Sequence, residues 1–298
     1  MHTYRANPVT AERYHHAEGP GWDARTSRLL WIDQHVGHFH VGTWDAAAGR
    51  LVPERSFEFG APVGAVVPEH AGDGWIAAAA LGFVRVGADG RLTELAQPAA
   101  GSARPMRMND GACDPAGRFW AGSMAVDKTP GAGALYRLDP DGSVTTVLED
   151  VTISNGLGWV DGGSTMYYID TPTQSVDRFD VDPAGRLTDR TSVVRLDRGF
   201  PDGMTLDDEG CLWVAVWGGG AVHRYAPSGE LLAVVEVDAP QVSSCAFGGP
   251  QRRTLFVTTS QEDYDERESD AHPNAGRLFA VELDVTGPAA APFGAGEE

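Results

Sequence analysis

An all-β fold, a six-bladed β-propeller with four-stranded blades, is predicted by three observations. The first is punctuation: 37 glycines and 19 prolines recur along the whole of the 298 residues, which suits short strands between many turns rather than long helices. The second is a period. The segments LLWID, GWIAA, FWAGS, YYIDT, LWVAV and LFVTT place Trp31, Trp75, Trp120, Tyr168, Trp213 and Phe256 at intervals of 44, 45, 48, 45 and 43 residues, a repeat length that fits one propeller blade. The third is the content of each interval. An apolar piece precedes each anchor segment, and a second strand pattern follows it, such as GFVRVGAD or GAVHRYAPS. A turn at glycine and one more strand pattern complete the repeat.

Four short strands cannot bury both faces of their own sheet, and radial stacking of six such sheets solves this while leaving only short edges. No Pro/Ser-rich linker separates the repeats, so residues 1–298 are expected to form a single propeller domain. Residues from about 3 to 14 have no repeat of their own. They are expected to supply the outer strand of the last blade and close the ring.

The charge balance narrows the function. With 23 basic and 42 acidic side chains the formal net charge is −19, which disfavours nucleic acid and anionic membrane surfaces as partners. No apolar run approaches membrane-spanning length. Cys113, Cys211 and Cys245 are far apart and odd in number, so no disulfide framework is implied. The N-terminus, MHTYRANPVTAERYHH, lacks an apolar signal region, and a cytoplasmic location is the expectation.

Chemistry enters at one slot of the repeat. Counting back from the anchors, Glu18-Gly19, Val63-Gly64, Asp110-Gly111, Asn155-Gly156, Asp202-Gly203 and Ser244-Cys245 fall 10 to 13 residues before them. An Asp-Gly pair between apolar runs ordinarily reads as a hairpin turn. The repeat assigns that role instead to the later stretches, such as DDEG and CDPAG, and puts the slot just before the innermost strand. Residues there converge on one mouth of a propeller's channel. Glu18, Asp110, Asn155 and Asp202 bring side-chain oxygens to it. Crowded carboxylates repel, and a divalent cation removes that cost. Oxygen donors without cysteine or paired histidine suit hard cations such as Ca²⁺, Mg²⁺ or Mn²⁺.

The stretches EGPGWDARTSRLLWID, RMNDGACDPAGRFWAGSM, ISNGLGWVDGGSTMYYID, FPDGMTLDDEGCLWVAVW and HPNAGRLF resemble the family of gluconolactonases, regucalcin (senescence marker protein) and luciferin-regenerating enzyme, in order and over nearly the whole chain. The resemblance implies a six-bladed propeller holding one divalent metal through Glu18, Asn155 and Asp202. Ca²⁺ is the favoured ion, with Zn²⁺, Mn²⁺, Mg²⁺ or Fe²⁺ as alternatives. It implies hydrolysis of sugar-acid (aldono-) lactones, with Arg107 and Asn109 on the substrate. Mammalian members carry a substrate-contacting Glu three residues after an AGTM-like motif. Here AGSMAVD puts Asp127 at that place, one methylene shorter.

Asp202 is the expected general base, with a metal-activated water as the rival nucleophile, and Asp110 is a candidate brace for the site. No GxSxG elbow supports a serine esterase. A calcium- or protein-binding propeller without catalysis and a phosphotriesterase-like hydrolase are the alternatives. His35, His38 and His40 are expected to be solvent-facing or hydrogen-bonded, with His15 or His16 able to approach the channel mouth. The acidic loop SQEDYDERESDAHPNAG is expected to be solvated, with a place at the substrate entrance open to it.

Overall fold

A computed structural model describes residues 1–294. Six antiparallel sheets follow one another around an axis. Their innermost strands are Ala17–Asp23, Val63–Pro68, Met106–Cys113, Ser154–Val160, Phe200–Leu206 and Val242–Gly248 for blades one to six. Each runs into a second strand that carries the aromatic anchor. Trp31, Trp120, Trp213, Tyr168 and Phe256 are each at most 1% exposed. The anchors thus fill the space between adjacent sheets, where each side chain removes a large apolar area from water.

The N-terminus ties two blades together. Asn7–Pro8 pairs antiparallel with Phe279–Glu282 as the outer strand of blade six. Pro8 lacks an N–H, and an edge position is where a strand tolerates that. The preceding segment, His2–Arg5, pairs in parallel with Leu231–Glu236 and adds a fifth strand to blade five. The N-terminal segment is therefore split: two residues complete blade six and four extend its neighbour.

The repeated slot lies inside the innermost strand rather than before it, and it is a β-bulge. Register shifts interrupt the pairing of the first and second strands between Glu18 and Gly21, Val63 and Ala65, Met108 and Gly111, Asn155 and Leu157, Pro201 and Met204, and Val242 and Ser244. All six blades bulge at the same level. A bulge re-aims its side chains and tightens the twist, and here it turns the slot residues toward the axis. The strands approach each other closely at that level. A Cβ on Gly64 would lie 1.9 Å from the carbonyl oxygen of Asn109, and one on Gly156 would lie 2.9 Å from that of Asp202. Glycine is required there by proximity, not by dihedral angles.

The hairpin after the innermost strand carries a buried clip. Asp207 Oδ1 accepts from the backbone N–H groups of Glu209 and Cys211, and Oδ2 accepts from Trp213 Nε1 at 2.9 Å and from Arg224 Nε at 2.8 Å. Asp114 in CDPAG does the same for Arg118 and Trp120. The aspartate thereby fixes the hairpin and locks the anchor indole. Replacing Asp207 by alanine removes the acceptor of the buried Trp213 N–H and leaves Arg224 with Glu209 alone, and we expect a loss of about 2 kcal/mol. Urea unfolding of the variant checks this, and an unchanged midpoint would remove the clip from the stability account.

Candidate functional site

The early residues of the innermost strands line an axial cavity of about 320 Å³. Glu18 comes from blade one, Arg107 and Asn109 from blade three, Asn155 from blade four and Asp202 from blade five. The later residues of the same strands line a second cavity of about 340 Å³, covered by Pro288–Ala291. The C-terminal segment is pinned there, with Ala290 N–H donating to the Trp22 carbonyl and Phe293 N–H to that of Pro68.

A chain of amide and hydroxyl groups crosses three blades at the first cavity. Arg107 donates to Asn109 Oδ1. Asn109 Nδ2 donates to Asn155 Oδ1 at 3.0 Å and to the Ser154 carbonyl at 2.7 Å. Asn155 Nδ2 donates to Thr171 Oγ1, which donates to the carbonyl of Pro201, next to Asp202. The chain fixes the amide of Asn155 with its oxygen partnered only on one side. Glu18 Oε2 accepts from the N–H of Gly19 at 2.9 Å.

Asp202 is buried without a hydrogen bond acting on its carboxylate among the described residues. Burial first, then Glu18, Asp110 and Glu262, push its pKa well above the usual carboxylate range, and Arg107 only partly opposes them. Asp110 has one donor, the N–H of Gly111 at 2.7 Å. Burial and Glu18 push its pKa up to about 8. It lines the second cavity rather than the first. The donor set of Glu18, Asn155 and Asp202 therefore fits a divalent cation. It offers uncompensated carboxylate charge, an amide oxygen with a free lone pair and no competing N–H donor at Asp202.

Two placements differ from expectation. Asp127 is exposed and does not line the cavity. Its carboxylate pairs with Arg104 at 3.2 Å and accepts from Thr129. Lys128, the next residue, lines the cavity instead, with a left-handed backbone at φ 56° that turns the chain inward. The acidic loop also reaches the site, through Glu262 and Asp263. The imidazoles of His16 and His35, close beside it, hold the Glu262 carboxyl far below its usual range. His16 is buried against Trp217, with Nε2 3.9 Å from Glu18 and Nδ1 3.4 Å from Glu262. Burial lowers its pKa, but Glu18 and Glu262 outweigh that and raise it. His40 stacks on Trp31 away from the cavity, and burial lowers its pKa to about 4.

The residues missed had a signal. The second strand runs back toward the mouth, so residues a few places after each anchor must return there. Gln34, Met124, Thr171, Trp217 and Glu262 all do so and all line the cavity.

Six bulged blades gathering oxygen donors at one axial mouth define the class: a β-propeller with a buried acidic site. The comparisons assign the family. The model of the SMP-30/gluconolactonase/LRE-like region matches residues 16–261, and the chain belongs to that family. It is 36% identical over 281 residues to "Putative sugar lactone lactonase YvrE" of Bacillus subtilis (strain 168), covering 93% of this chain and 94% of that one. It is 35% identical over 303 residues to regucalcin of Gallus gallus, covering 98% and 99%. Among solved structures, a calcium-binding protein, regucalcin, of Agrobacterium tumefaciens superposes with a TM-score of 0.89 at 27% identity, covering 98% and 99%. A luciferin-regenerating enzyme superposes with a TM-score of 0.86 at 28% identity, covering 95% and 96%. Among the described residues no helix is long and apolar enough to cross a membrane.

The raised carboxyl pKa values have a consequence for stability, with a definite sign. A carboxyl whose folded pKa exceeds its unfolded value binds more protons in the folded state between the two. Stability of the metal-free protein therefore falls as pH rises through that window, from about 4 for an unfolded aspartate to about 8 for Asp110. The slope per group is about 1.4 kcal/mol per pH unit at most. Melting of chelator-treated protein between pH 5 and 8 reads it. Asp110→Asn is expected to flatten the profile, and a profile already flat in the parent would show that burial of these carboxyls carries no such cost.

Proposed function

We propose that this protein is a divalent-metal-dependent lactonase that opens sugar-acid lactones, with Ca²⁺ as the favoured cation. The observation that carries the reading is Asp202, a buried carboxylate without a hydrogen-bond donor, in one cavity with Glu18 and Asn155. The family and the lactonase name borne by the Bacillus relative support the reaction class.

When bound, a cation held by Glu18, Asn155 and Asp202 supplies Lewis-acid polarisation of the lactone carbonyl. The remaining work falls to the chain. Asp202, which lines the cavity with no donor bonded to its carboxylate among the described residues, takes a proton from the attacking water. The water oxygen forms a bond to the carbonyl carbon, the ring C–O bond breaks, and the leaving ring oxygen receives the proton. Arg107, which is buried beside Asn109, presents N–H donors to ring or hydroxyl oxygens. Phe200, Trp217, Met124 and Pro172 give the cavity an apolar wall, suited to the C–H face of a sugar ring. The product is an aldonate anion. Glu18, Asp202, Glu262 and Asp263 around the cavity repel that charge and favour release.

A panel of aldonolactones assayed after chelation and with added Ca²⁺, Zn²⁺ or Mn²⁺ tests this. Asp202→Ala is expected to lower turnover by at least about 10²-fold, the loss typical of a removed general base, while circular dichroism stays that of the parent. Full turnover in that variant, or after complete chelation, would reject the scheme. Organophosphate turnover exceeding lactone turnover would replace it with the phosphotriesterase reading.

A further inference from the structure

We propose that His16, His35 and Glu262 form a second divalent-cation site, selective for transition metals, next to the oxygen-donor site. Each residue comes from a different place in the chain: His16 precedes the innermost strand of blade one, His35 follows its second strand, and Glu262 lies in the blade-six loop. One ligand atom from each lies within 4.8 Å of the others.

The distances favour an ion over direct pairing. His35 Nε2 is 3.2 Å from Glu262 Oε1, and His16 Nδ1 is 3.4 Å from Glu262 Oε2. A charge-assisted hydrogen bond is shorter, about 2.7–2.9 Å. Ligand atoms about 2.05 Å from a tetrahedral zinc stand about 3.3 Å apart, and the two separations, one to each oxygen of Glu262, are close to that value. The second observation is independent. His35 Nε2 is buried and has no hydrogen-bond partner among the described residues, although a carboxylate oxygen is so close. The approach to Glu262 therefore lacks the geometry of a hydrogen bond.

The site is built. Glu262 N–H donates to Ser260 Oγ at 2.8 Å. The same oxygen is 3.0 Å from His16 Nδ1 and 3.3 Å from the His15 carbonyl, to which its proton can turn. The His16 ring lies against Trp217, with centroids 5.5 Å apart, and meets the His35 ring edge-on at 4.9 Å. His16 Nε2, the nitrogen left over, lies 3.9 Å from the Glu18 carboxylate, too far for a hydrogen bond, so Glu18 acts on it only as a nearby negative charge. Two imidazoles and one carboxylate suit Zn²⁺ or Fe²⁺ rather than Ca²⁺. Glu18, Asp202, Glu262 and Asp263 at the same mouth offset the charge of two cations.

The test is Co²⁺ uptake by untagged, chelator-stripped protein, followed by equilibrium dialysis and visible absorption. The parent is expected to take two equivalents per chain, one with the intense absorption of a low-coordinate nitrogen-ligated Co²⁺. His35→Ala is expected to take one and lose that absorption. Asp202→Ala is expected to take one and keep it. Where the alanine variant does not fold, His35→Gln serves. A folded His35 variant that takes up as many equivalents as the parent and keeps the intense absorption overturns the proposal. If His35→Ala loses an equivalent and Asp202→Ala loses none, the histidine site stands and the oxygen-donor site falls.

Discussion

The crowding of Glu18, Asp110 and Asp202 at the axis is the constraint on which the rest of the structure depends. Each residue is at most 8% exposed; Glu18 raises the cost of ionising Asp110, and both raise it for Asp202. Unpaired carboxylates in such surroundings neutralise or find a positive charge. Arg107, the buried cation of the cavity lining, is committed to Asn109 rather than to a carboxylate. The fold therefore holds its axial strands together around an electrostatic deficit. Such a deficit is costly for an empty scaffold and useful for one that binds a cation.

What sustains the deficit is the rigidity of the blades around it. The anchor aromatics fill the gaps between sheets, and the Asp207 and Asp114 clips hold two of those indoles by their N–H groups. Gly64 and Gly156 allow neighbouring strands to approach within a distance that no Cβ permits. The split N-terminal segment bonds blade five to blade six through adjacent residues, so the two blades that contribute Asp202 and Glu262 cannot part without breaking one of the pairings. Local strain at the mouth is thereby resisted by the whole ring.

Much of this was legible in the sequence because it repeats. Four strands per interval and the family follow from residues that recur or match in order, and the slot is visible because Glu18, Asn155 and Asp202 occupy it in register. A bulge and a hairpin turn use the same Asx-Gly chemistry. The pair at Asp202-Gly203 could therefore be separated from the turn at Asp207–Gly210 only by its place in the repeat. The slot's position inside the strand was not readable, since a bulge leaves no mark on the hydrophobic pattern. Asp127 and Lys128 were not separable either. Which of two adjacent loop residues faces inward is set by one backbone dihedral, and Lys128 adopts the left-handed value. Glu262 sits in a stretch so acidic that a solvated loop was the simpler reading.

Glu262 also shows how the loops finish a propeller mouth that the axial strands only begin. The axial residues stand on bulged strands whose positions are fixed by neighbours on both sides. The mouth is finished by whatever follows the second strand of each blade, and those loops answer only to one blade. Blade six uses a long one, with a capped helix at Glu266–Ala271, to bring the Glu262 and Asp263 carboxylates back over the site. There Glu262 meets His16 from the blade on the other side of the ring closure. The same contact holds the loop in place, because the imidazoles that keep Glu262 ionised are the groups it approaches. Loop position and site charge are thus one variable: a change that moves Glu262 away also removes negative potential from the cavity and frees His16 to pair with Glu18 alone.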